Sequence, residues 1–62
     1  MLSREEVSRE LMEVKGEMDY YMDRYWEEKN KYRRMNIAIT IGRLMRREDE
    51  LMEEIRKEEK TN

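Results

Sequence analysis

Sixty-two residues carry 14 basic and 16 acidic side chains, a net charge of −2, with no cysteine, histidine or proline. That composition excludes disulfides, metal sites built on imidazole or thiolate, and triad chemistry of the Ser-His-Asp or Cys-His kind. It also excludes a large self-sufficient core, because a chain this short buries only about 60% of its unfolded surface, so association with copies of itself or with a partner is the expected stabiliser.

Glu, Lys, Arg, Leu and Met dominate. All are strong helix formers, and the mixture matches long helices and coiled coils. The first helix is announced by Ser3 and Glu6, spaced as a capping box, with Leu2 and Val7 spaced as a hydrophobic staple. From there the apolar positions Val7, Leu11, Val14, Met18, Tyr21 and Tyr25 step by four and three, a heptad seam that Met22 and Trp26 widen on one side. This spacing predicts a helix over about 3–29.

The stretch "EKNKYRRMN" follows. Asn30, flanked by Lys29 and Lys31, suits a helix end in the left-handed conformation, and Asn36 suits the cap of a second helix. A turn is expected at about 30–33 and a second helix over about 34–59, with a frayed tail at 60–62. The second seam runs Ile37, Ile41, Leu44, Glu48, Leu51, Ile55, widened by Ala38, Met45 and Met52. It is offset by two residues from a continuation of the first. A straight supercoil would be strained by that offset, and a break in the chain relieves it. A single long bent helix is the alternative.

The segment "RRMNIAITIGRLMRR" is apolar almost all the way round when wound as a helix. Such a helix is expected to be buried on all sides, which one neighbour cannot do. This places residues 35–45 at the centre of an oligomeric bundle, with the stems of the flanking arginine pairs lying over its edges. Ala38 and Gly42 form a small-xxx-small face that would admit a close neighbour. Gly16 has no comparable rationale.

Charge falls into three blocks. Residues 1–28 hold four basic and nine acidic side chains, a net −5; residues 29–47 hold seven basic and no acidic ones, +7; residues 48–62 hold three and seven, −4. Acidic ends around a basic middle favour a chain that folds back or pairs antiparallel, with facing residue numbers summing to about 62. Arg43 would then approach Asp19, Glu53 Arg9, Arg56 Glu6 and Lys57 Glu5, and Gly42 would face Tyr20 and Tyr21. Pairs of this kind set orientation more than stability.

Two groups of residues are candidates for binding. Arg33, Arg34, Arg43, Arg46 and Arg47, near Tyr32 and Trp26, could hold an anion or nucleic-acid phosphates, although the whole chain is acidic with a pI near 5.2. Tyr20 and Trp26 flank the first seam as possible anchors for a protein partner, since Tyr and Trp are enriched at interface hot spots. Arg34, Ala38, Ile41 and Gly42 resemble the R-x-x-x-A-x-x-[VI]-G pattern of the small all-helical chorismate mutases. The resemblance implies a carboxylate-binding role for Arg34. It covers nine residues, and Met45 and Glu17 stand where that family has a functional lysine and arginine. The residues themselves single out no catalytic group, metal or cofactor.

The expectation is an all-α protein: a two-helix antiparallel hairpin that dimerises into an antiparallel four-helix bundle. Its core and interface would comprise Val7, Leu11, Val14, Met18, Tyr21, Tyr25, Ile37, Ala38, Ile41, Leu44, Met45, Leu51 and Ile55. The expected function is non-enzymatic: an adaptor, inhibitor or regulator that binds itself and another protein. Nucleic-acid binding is the alternative. By analogy of type, such chains are often viral or mobile-element products. The charged N-terminus has no secretory pattern, and the longest uncharged run, Met35 to Gly42, is too short to span a bilayer, so a cytoplasmic protein with no membrane partner is expected.

Overall fold

A computed structural model describes residues 3–61, and the side chains of residues 3–59; Leu2 and the staple it would form lie outside the described residues, as does Asn62. Two helices make up the described residues, α1 (Arg4–Glu27) and α2 (Lys31–Thr61), antiparallel and in contact. The rod they form measures 49 × 15 × 14 Å.

Ser3 starts α1 as read from the sequence. Its backbone is extended, and Ser3 Oγ accepts from the Glu6 N–H at 3.2 Å. Glu5 and Glu6 add carboxylates in the first turn, where the helix dipole favours them.

The turn departs from expectation in position and in chemistry. It occupies 28–30, three residues only, and α2 begins at Lys31. Asn30 does not close α1 in a left-handed conformation, because no described residue has a positive φ. It opens α2 instead. Asn30 Oδ1 accepts from the Tyr32 and Arg33 N–H groups at 3.0 and 3.1 Å, and its carbonyl accepts from the Arg34 N–H at 2.9 Å. Glu28 ends α1 in an extended conformation, and its carboxylate takes the Asn30 N–H at 3.1 Å. Side chains from Glu28 and Asn30 thus satisfy backbone donors that a glycine turn would leave to water. Asn36 caps nothing; it lies inside α2, and its carbonyl accepts from Thr40 Oγ1 at 3.1 Å.

Moving the turn moves the register. Glu10 pairs with Arg47 across the hairpin, and Tyr25 lies under Arg34. Facing residues therefore sum to 57–59, not 62. Among the described residues no salt bridge joins Arg43 to Asp19, Glu53 to Arg9 or Arg56 to Glu6. Arg56 binds Glu53 on its own helix at 3.0 Å, and an added Cβ on Gly42 would meet nothing within 4 Å, so no tyrosine packs there. The pair that does form bears on orientation: Arg47 also holds Glu50 at 3.3 Å, and the two carboxylates raise its guanidinium pKa, Glu10 more than Glu50. All three side chains remain more than a third exposed, so water screens the network and it sets orientation more than stability.

The core is short. Val7, Leu11, Val14 and Leu51 form its buried cluster, with Met18, Leu44 and Ile55 packed against it, and Ile37 is buried further along. Tyr21, Tyr25, Ile41 and Glu48 are half-buried on the same two stripes. Both seams are therefore the ones that the heptad spacing marks. Arg34 extends the second seam by one position, which its charge conceals in the sequence.

Ala38 and Met45, expected in the core or interface of a bundle, are exposed in the single hairpin, Met45 to 52%. So are Met35 at 55% and Ile39 at 50%. The isoleucine-rich middle is covered along one stripe only, because a single neighbouring helix shields no more than one side.

Candidate functional site: the open face of the hairpin

The stripe of α2 that α1 does not cover has its own heptad spacing. Lys31, Met35, Ala38, Gly42, Met45, Asp49, Met52 and Arg56 follow one another in steps of four and three, and every one is exposed. On α1 the same spacing picks out Ser8, Met12, Lys15, Asp19, Met22 and Trp26, also all exposed, Met12 to 75% and Trp26 to 73%. At 100° per residue each stripe lies about a quarter-turn from its helix's buried seam. In an antiparallel pair the same sense of rotation brings both stripes to one side of the rod.

Contacts agree with this placement. An open cleft of about 320 Å³ on that side is lined from both ends of the turn, by Tyr25 and Lys29 and by Lys31, Arg34, Met35 and Ala38. The Glu10–Arg47 pair marks the opposite side.

The cleft combines cations with an apolar floor. The Arg34 guanidinium carbon sits 4.5 Å from the Tyr25 ring centroid, a stacking distance for a cation on an aromatic face. Arg34 Nε is out of contact with solvent and has no hydrogen-bond partner. Among the described residues, Lys29, Lys31 and Arg34 make no salt bridge. Trp26 stands beside the cleft, edge-on to Tyr25 with ring centroids 5.4 Å apart.

Tyr20 is exposed on the other side of α1. It packs edge-on against Tyr21 at 5.2 Å and accepts from Arg24 at 3.0 Å, the main cause of the raised Arg24 pKa. Tyr20 and Trp26 therefore do not form one anchor site.

Nor do the five arginines converge. Arg34 faces the cleft, Arg47 turns to Glu10, Arg33 and Arg43 stand toward the Glu10 side, and Arg46 points away from α1. Of the residues resembling the mutase pattern, Ile41 lies on the seam, Arg34 is held over Tyr25, and Ala38 and Gly42 are on the open stripe. Among the described residues no group of acidic side chains is placed to hold a metal ion, and no helix is long and apolar enough to cross a membrane.

The chain matches no protein-family model, no curated protein and no solved structure.

Met12, Met35, Lys31 and Asp49 escape a reading that looks for one apolar seam per helix. Their signal is present in the spacing, as a second heptad stripe in which charged residues alternate with methionines.

Proposed function

We propose that this chain is a small non-enzymatic helical interaction protein that works as a self-associated bundle, most simply an antiparallel dimer of hairpins. One observation carries the reading. Met12, Met22, Trp26, Met35, Met45 and Met52 are all exposed on one side of a rod whose buried core holds only five hydrophobic residues among those described. Large apolar side chains gathered on one face and rimmed by polar ones mark an association site in small proteins. Methionine and tryptophan suit it, the one by adapting its shape and the other as an anchor. Once paired, such a bundle presents its remaining surface, Tyr20 and the outer arginines included, to another protein in the cytoplasm, as an adaptor, inhibitor or regulator would.

Sedimentation equilibrium tests the reading. A species of twice the 7.9 kDa chain mass is expected at micromolar concentration. A helical monomer at every concentration up to millimolar would overturn it.

The cations of the cleft favour one second reading, binding to nucleic-acid phosphates. It requires an affinity that falls steeply with salt and drops when Lys29, Lys31 and Arg34 become glutamine. A protein-binding bundle shows neither response to added DNA or RNA.

A further inference from the structure

The open stripes specify how two copies would meet, given the self-association proposed above. Charge is divided along the rod. The part nearer the turn, residues 11–47, holds nine basic and six acidic side chains, a net +3; the part nearer the termini, residues 1–10 and 48–62, holds five and ten, −5. Two rods laid side by side attract when the turn of one lies against the termini of the other and repel when they point the same way. Stacking open face on open face in that antiparallel sense brings α2 over α2 and α1 over α1.

Register then follows from the stripes. On α2, numbers summing to 80 keep open-stripe residues against open-stripe residues: Lys31 meets Asp49 of the second copy, Met35 meets Met45, and Ala38 meets Gly42. The neighbouring heptad register, with a sum of 87, would set Lys31 against Arg56 and Ala38 against Asp49, so like charge and poor packing disfavour it. On α1, a sum of 34 does the same. Lys15 meets Asp19 of the second copy, Met12 meets Met22, and Ser8 meets Trp26.

The two choices are independent, yet they agree. The centre of the first lies at residue 40 of α2, level with about residue 18 of α1 in the hairpin register, and the centre of the second lies at residue 17. The mismatch is one residue, about 1.5 Å along the helix. A single rigid placement therefore satisfies both helices. It sets small residues against each other where the two α2 helices approach, and it brings a carboxylate to the cleft whose cations form no salt bridge among the described residues.

We infer that the basic cleft at the turn is the socket for Asp49 of a second copy, and that Lys31–Asp49 and Lys15–Asp19 pairs between copies fix an antiparallel dimer in this register.

Charge exchange tests it. One variant carries Lys15→Asp and Lys31→Asp, the other Asp19→Lys and Asp49→Lys. All four positions are exposed in the hairpin, and circular dichroism checks that each variant stays helical. Each alone should dimerise at least about tenfold more weakly than the parent chain, and an equimolar mixture should recover to within about threefold. Unchanged dimerisation of the separate variants, or no recovery on mixing, overturns the register while leaving self-association intact. A monomeric parent chain overturns both.

Cross-linking gives a second readout that does not depend on charge. The chain has no cysteine of its own. Met35→Cys/Met45→Cys should oxidise to a covalent dimer, while Met35→Cys alone should not, because its two copies would lie ten residues, about 15 Å, apart and a disulfide spans less than about 7 Å between Cα atoms. Equal cross-linking by the single variant would place the two copies of Met35 side by side, in a different register, and overturn the proposal.

Discussion

Leu51 is 1% exposed and packs in one cluster with Val7, Leu11 and Val14, where α2 passes the start of α1. Leu51→Ala removes three carbons from this contact. At about 0.8 kcal/mol per buried methylene the transfer loss is about 2.4 kcal/mol. A residual void of about 40 Å³ would add about 1 kcal/mol at the usual cavity coefficient. The sum, about 3 kcal/mol, is large for a core of five residues, since domains of this size have only a few kcal/mol to lose. Urea unfolding followed by circular dichroism at one fixed, low protein concentration measures it. With a slope of about 1 kcal/mol per molar urea, the midpoint should fall by about 3 M, or the transition should vanish. Met12→Ala is the comparison: Met12 is 75% exposed, so it should shift the dilute transition by less than about 0.5 kcal/mol. Equal effects from the two substitutions would mean that the hairpin does not pack on the Val7–Leu51 cluster, and the core described above would be wrong.

Other substitutions separate the remaining claims. Asn30→Ala removes the acceptor for two backbone N–H groups and should cost about 1 kcal/mol in the same urea assay, whereas Asn36→Ala, inside α2, should not destabilise. Gly16→Ala and Gly42→Ala each place a methyl where nothing lies within 4 Å, so both should raise hairpin stability by about 0.5–1 kcal/mol. Only Gly42→Ala should also weaken the dimer by sedimentation, because Gly16 stands away from the open face; equal behaviour would remove Gly42 from the interface. Glu10→Gln should lower stability by less than about 1 kcal/mol, and the difference from the parent chain should shrink in 1 M salt. Ile41→Asp puts a charge on the half-buried seam and should abolish the helical signal at low concentration; an unchanged melting curve would count against the seam.

Local rules alone determine much of this protein. Ser3 and Glu6 start α1 through contacts within one turn, and the three-and-four spacing of Val7 to Tyr25 and of Ile37 to Ile55 marks the two buried stripes wherever the chain folds back. The two-residue offset between those stripes strains a straight supercoil, and either a break or a bend in one long helix relieves it. Where the break falls is not a local question. Asn30 can end a helix or begin one with similar ease, and the geometry that lets both seams meet across a three-residue turn selects the second use. That choice shifts the pairing from a sum of 62 to about 58, which is one helical turn. Arg47 then reaches Glu10, Arg34 is carried onto the seam over Tyr25, and Gly42 is left in the open. Exposure of the methionine stripe is likewise decided by tertiary structure: spacing shows that residues share a stripe, but only the placement of the second helix shows which stripe it leaves uncovered.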